Sequence, residues 1–166
     1  MFVLFFLKCL STLPSPELNF CYFSNKHYCK NCHWGQKSVI PSYCLHNWDF
    51  TRYPVSRLSY LILNYYAFHP LIKITNAKNG QLFRRISKLA KVQRLRAKLI
   101  DMYEYVKMCS QASKSRFVQN LMIFGDQNLK NNKSRMYLIQ ERDNSLLYSL
   151  NDLIDIATGK MYRNLK

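Results

Sequence analysis

Glycine is the scarcest structural resource in this chain: 166 residues contain only four, at positions 35, 80, 125 and 159. No glycine-rich loop can therefore be built to cradle a phosphate, and neither Gly-x-Ser-x-Gly nor His-Glu-x-x-His occurs. Acidic residues are few as well, nine against 25 basic ones, and most follow residue 100, where no carboxylate pair stands beside a candidate nucleophile. A zinc deaminase needs Glu shortly after its ligand His, but Trp34 and Gly35 follow His33. These absences point to a non-enzyme. Long apolar runs are also missing. Phe2 to Leu7 is a run of six, far below the ~20 residues that span a bilayer. No basic residue precedes it, Lys8 interrupts it and Pro14-Ser15-Pro16 follows, so a weak signal peptide and a stray leading segment both fit, the second better. Asn132-Lys133-Ser134 is a glycosylation acceptor only in a secreted chain. No repeat recurs at a fixed period.

What is present is a core-forming, strongly basic chain. Apolar residues make up 48% and aromatics 14%, which excludes a disordered tail and suits one globular unit. The net charge of +16 favours anionic partners: acidic protein surfaces, headgroups or nucleic acid. Six cysteines are too few and too clustered for a disulfide framework, so a reducing compartment is expected.

Three of the cysteines carry the strongest chemical signal. Cys21, Cys29, Cys32 and His33 form Cys-x7-Cys-x2-Cys-His within thirteen residues, a density of thiols and imidazole that suits Zn2+. Cys29 and Cys32 have the spacing of a tight turn that aims two sulfurs at one ion. His33 directly follows Cys32, and adjacent side chains rarely reach the same ion, so Cys21 and His33 can belong to a second site. Three alternatives stay open: Cys-x-x-Cys-His as a haem attachment site, a redox dithiol, and unliganded thiols. Val39-Ile40-Pro41 and Leu45 to Phe50 read as an irregular lid over this turn, with Cys44 and His46 as bystanders.

The remainder reads as helical. Ser56 can cap a helix over Arg57 to Phe68 that Pro70 ends. Asn79-Gly80 marks a turn, and from Gln81 to about Met108 apolar residues fall at 82, 86, 89, 92, 95, 99, 102 and 106, one face of a long helix. Arg84, Lys88, Lys91, Arg94 and Lys98 follow the same spacing on another face, with Arg85 and Arg96 adding to the charge. No acidic residue lies between Arg84 and Lys98 to neutralise it. The stripe is either a solvated face or a docking surface for an acidic partner. Gly125 to Ser145 reads as a long polar loop, and Ser149-Leu150-Asn151-Asp152 as a capping box opening a short helix that ends near Gly159.

Taken in order, these strings resemble a known domain. Cys21-x7-Cys29-x2-Cys32-His33-Trp34, Val39-Ile40-Pro41, His46-Asn47-Trp48-Asp49-Phe50, Val55-Ser56-Arg57, the Leu89 to Leu99 stretch and Leu147 to Leu153 are similar to the Rubicon-homology domain. That family includes Rubicon, Pacer, the pleckstrin-homology-domain family M adaptors and the protein called differentially expressed in FDCP 8, whose Cys-His-Trp and His-Asn-Trp-Asp-Phe strings are the most similar. The resemblance runs from about residue 20 to 165. It implies a mainly α fold with a small irregular zinc-binding N-terminal module, residues 1–20 being unassigned and 21–166 a partial domain. It further implies metal ligation by Cys21, Cys29, Cys32 and His33, and an adaptor that binds the GTP-loaded small GTPase Rab7. The expected location is cytoplasmic, peripheral to late endosomes and lysosomes, in the control of their traffic or of autophagy. The family pattern also places a Cys-x-x-Cys pair upstream, where this chain has only Cys9, and continues into a second cysteine cluster. Impaired metal and GTPase binding is the corresponding expectation. Two other classes remain: a basic zinc module that binds nucleic acid, and a thiol oxidoreductase at Cys29/Cys32.

Overall fold

The computed structural model describes residues 18–114, 136–138 and 146–165. They fall into two compact units that divide between Ala67 and Phe68, where length and composition alone suggest one. The apolar run 2–7, the acceptor at 132–134 and most of the polar stretch 125–145 lie outside the described residues. Of that stretch Met136–Leu138 form a 3-10 turn.

The first unit is built from short local pieces. Strands β1 (Asn19–Cys21) and β2 (Lys26–Tyr28) pair antiparallel, with Asn19 opposite Tyr28 and Cys21 opposite Lys26. The turn between them closes on Asn25, which takes the left-handed conformation at φ 53°, one that Asn tolerates better than most residues. Strands β3 (Lys37–Val39) and β4 (Arg52–Pro54) form a second antiparallel pair. The Tyr22 N–H donates to the Pro54 carbonyl at 3.1 Å and ties the two pairs together.

The expected irregular lid is instead partly helical. Helix α1 (Pro41–Asn47) starts on a proline, whose missing N–H costs nothing in the first turn, and Trp48 closes it in the left-handed conformation. Helix α2 (Arg57–Phe68) has the expected bounds. Its cap is Ser56, whose Oγ accepts the Ser59 N–H at 3.3 Å. Cys21, Tyr28, Ile40, Val55 and Leu63 form the core, with Cys32, Tyr43, Tyr53 and Tyr60 packed against it.

The second unit is helical around a minimal sheet. Strand β5 (Ile72–Lys73) pairs antiparallel with β6 (Leu147–Tyr148), Ile72 opposite Tyr148. Between them run α3 (Asn76–Arg85) and α4 (Ser87–Met108). The single long helix expected from Gln81 is thus two, separated at Ile86, whose φ −111° and ψ 91° are extended. A one-residue break barely disturbs the apolar spacing, which is why periodicity does not reveal it. Asn79-Gly80 lies inside α3, where Asn79 kinks the backbone, instead of forming a turn before the helix.

Helices α5 (Leu150–Thr158) and α6 (Lys160–Leu165) close the unit. The start of α5 is the expected capping box: Ser149 Oγ accepts the Asp152 N–H at 3.1 Å, and Asp152 Oδ2 accepts the Ser149 N–H at 2.7 Å. Gly159 ends α5 at φ +77°, and the chain turns directly into α6. Helix α4 packs against α3, α5 and α6, and its Leu89, Val92, Leu99 and Ile100 are buried. The expected apolar face holds to Leu99 and then departs, since Met102 is 52% exposed.

Candidate metal centre and basic face

The Cys29–Cys32 turn is as tight as its spacing requires. The Cys29 carbonyl accepts the N–H groups of both Cys32 and His33 at 3.0 Å. Trp34 folds back to donate from Nε1 to the Asn31 carbonyl at 2.9 Å, and the Arg57 guanidinium lies 4.3 Å above its ring. The Arg57 N–H donates to the Cys32 carbonyl at 2.9 Å, so α2 begins against this turn.

The other two candidate ligands have different partners. His33 is buried. Its Nδ1 accepts the Gly35 N–H at 3.2 Å, so the ring proton sits on Nε2, which donates to the Phe20 carbonyl at 3.1 Å. Both ring nitrogens are thereby engaged with backbone, joining β1 to the turn. Cys21 is fully buried and its Sγ donates to Ser59 Oγ at 3.3 Å. Burial pushes this thiol up, but hydrogen bonding with the Ser24 and Ser59 side chains and with the Ser56 and Ser24 backbone outweighs it and holds the pKa down to about 7.

Cys44 is a bystander to this turn. It is buried, donates to the Asp49 carbonyl at 3.3 Å and is pushed up to about 12, first by burial and then by the Asp49 charge. His46 is exposed on α1. Among the described residues no three His, Cys, Asp or Glu side chains gather as a metal site would need. A structural zinc takes four ligands, and the Cys29–Cys32 turn offers two. The described residues thus fit half of such a site.

The basic stripe is exposed, but it spans two helices. Arg84 lies in the last turn of α3, whereas Lys88, Lys91, Arg94 and Lys98 belong to α4, and all five are exposed. Lys88 Nζ donates to the Ala157 carbonyl at 2.7 Å, where a cation suits the C-terminal end of α5.

Arg96 does not add to the stripe. It is fully buried, donating from Nε to the Leu138 carbonyl at 3.2 Å and from Nη1 to the Leu147 carbonyl at 3.1 Å, with its guanidinium 4.5 Å above the Tyr148 ring. Tyr148 is also fully buried, and its phenol pKa is raised, chiefly by burial. Asp152 accepts from Tyr137 next to this group. The sequence does carry a signal for Arg96: it lies four after Val92 and three before Leu99, on the apolar arc and out of step with Arg94 and Lys98.

Comparison with known proteins decides the family, since the model of the Rubicon Homology Domain matches residues 19–166. This chain belongs to the Rubicon homology domain family. Over 155 residues it is 32% identical to the Differentially expressed in FDCP 8 homolog of Drosophila melanogaster, covering 93% of this chain and 28% of that protein. It is 31% identical over 149 residues to human Pleckstrin homology domain-containing family M member 3, covering 90% of this chain and 18% of that protein. The Caenorhabditis elegans homolog of the first is 29% identical over 158 residues, 95% of this chain and 29% of its own length. The chain thus spans less than a third of each of these relatives. Membership supports a Rubicon-like adaptor role, and among the described residues no helix is long and apolar enough to cross a membrane.

Proposed function

We propose that this Rubicon homology module is an adaptor surface for the GTP-loaded form of the small GTPase Rab7, acting in the positioning and traffic of late endosomes and lysosomes or in autophagy. The observation that carries the reading is the run of exposed cations from Arg84 to Lys98, with no acidic residue between them in the sequence. Such a face lowers the barrier to encounter with an acidic protein surface and speeds association in a salt-dependent way. The experiment is a pull-down of the purified chain with Rab7 loaded with a GTP analogue or with GDP, beside the triple variant Lys91→Glu/Arg94→Glu/Lys98→Glu. The expected result is GTP-selective capture that the triple variant loses. Equal capture in both nucleotide states, or none, overturns the proposal. Nucleic acid is the control ligand, and affinity for it that disappears near physiological salt marks charge alone.

Zinc at Cys29 and Cys32 is the second part of the proposal. The described portion of the first unit is small and its core is rich in Tyr and Cys, a size at which metals commonly supplement burial. Native mass spectrometry of the chain beside Cys29→Ser/Cys32→Ser tests it, with zinc present in the parent and absent in the variant. A folded, metal-free parent overturns it.

A further inference from the structure

Beyond Lys98 the solvent face of α4 changes character. Met102, Tyr105 and Met108 are 52%, 77% and 87% exposed, although this helix also supplies much of the unit's core. At 100° per residue, Lys91, Arg94, Lys98, Met102 and Tyr105 fall within an arc of about 80°, with Met108 about 40° to one side of it. The buried residues Leu89, Val92, Arg96 and Ile100 occupy the opposite side. One straight face therefore runs from a basic block into an apolar block over roughly 25 Å of helix. Exposed Asp101 lies between this arc and Met108.

We infer that this face is a two-part docking site for a single helix of a partner protein, one that carries acidic residues at steps of three and four and then apolar residues at the same steps. The inference rests on the basic-face reading above and adds the apolar half, which that reading does not use. Charge complementarity sets the first half of the partner, since three adjacent cations require carboxylates opposite them. The second half is set by Met and Tyr, side chains that anchor interfaces when desolvated.

The arrangement disfavours two other occupants. A second copy laid antiparallel would press the cations of one chain onto the apolar block of the other, and laid parallel would oppose cation to cation, in a chain of charge +16. A bilayer receives an interfacial helix along an apolar side that runs its whole length, with cations at the flanks. Here the cations and the apolar residues share one side, end to end.

The probe is a fluorescein-labelled helical peptide with Glu at three successive steps followed by Leu at the next three, titrated against the whole chain by anisotropy. Two counterpart peptides replace either the Glu or the Leu set with Gln. The expected result is saturable binding to the full probe, weakened at least about tenfold for either counterpart and for the Tyr105→Ala/Met108→Ala variant, whose exposed positions leave the melting temperature unchanged. The apolar variant raises the dissociation rate, whereas Lys91→Glu/Arg94→Glu lowers the association rate and flattens the salt dependence. An apolar variant that binds like the parent, while charge reversal abolishes binding, overturns this inference and leaves the basic-face reading standing. Charge reversal without effect overturns both. No binding of the probe, or capture by phosphatidylserine vesicles that depends on Tyr105 and Met108, also overturns it, the latter assigning the face to a bilayer.

Discussion

Removing the Arg96 guanidinium is expected to destabilise the second unit more than any change in the exposed stripe. In Arg96→Ala the carbonyls of Leu138 and Leu147 lose donors at 3.2 and 3.1 Å, and hydrogen bonds from a charged group are worth about 1.5–3 kcal/mol each. The cation over Tyr148 at 4.5 Å adds on the order of 1–2 kcal/mol when desolvated, and a cavity remains. These terms share one side chain and do not add fully, so the net cost is about 3–5 kcal/mol, the range for breaking a buried charged network. Against a total stability of about 5–15 kcal/mol that is a large fraction, and it lowers the melting temperature by on the order of 15 °C. Arg96→Lys keeps the charge but loses the fork that reaches two carbonyls, and falls between parent and Ala. Arg94→Ala, at an exposed position, is the control and stays within about 0.5 kcal/mol. Urea unfolding separates the units, because helical circular dichroism is dominated by α3 to α6 while both tryptophans, Trp34 and Trp48, report on the first unit. An Arg96→Ala midpoint equal to that of Arg94→Ala would refute the reasoning.

Three further outcomes are expected. Ser149→Ala removes the α5 cap and costs about 1 kcal/mol, and Gly159→Ala, which forces a side chain into φ +77°, costs a similar amount; chemical denaturation midpoints check both. Cys44, held neutral with its pKa at about 12, resists maleimide at neutral pH while exposed Cys109 reacts. Because the folded pKa of Cys44 is raised, its stabilising term is complete below the unfolded thiol's ~8.5 and is lost as pH climbs from there toward 12, which a pH series of melting curves reads. His33→Gln breaks the links to Phe20 and Gly35 and costs about 2–3 kcal/mol, and, on the proposal of zinc at Cys29 and Cys32, leaves the zinc-to-chain ratio in native mass spectrometry unchanged; a ratio that falls in the folded variant would make His33 a ligand.

Local signals in the sequence were legible, and aims of side chains were not. The bounds of α2 follow from Ser56 and Pro70, and the start of α5 from Ser149 and Asp152, because caps and breakers act within a turn. The cysteine spacing likewise announces the turn at Cys29 and Cys32. It says nothing of where Cys21 and His33 point, since the Ser59 hydroxyl that meets Cys21 is 38 positions away. Helix α6 was missed because Gly159 looks like a final stop, whereas a left-handed glycine also lets a chain turn and resume. The burial of Arg96 is a decision of packing, taken with the carbonyls of Leu138 and Leu147, 42 and 51 positions downstream.

The β5–β6 pairing has a consequence for how the protein is made. Ile72 and Tyr148 are 76 positions apart, whereas Asn19 and Tyr28 in the first hairpin are 9 apart, a difference in closure entropy of roughly 2 kcal/mol. On the ribosome the first unit can complete its pairings as soon as its own residues emerge. The second cannot: α4 leaves the tunnel with Leu89, Val92 and Leu99 bare and Arg96 without its carbonyls, and stays so for roughly 3–11 seconds at common elongation rates until the closing strand and α5 and α6 arrive. That interval is when a chaperone has most to bind, and when slow translation after residue 108 would do most harm.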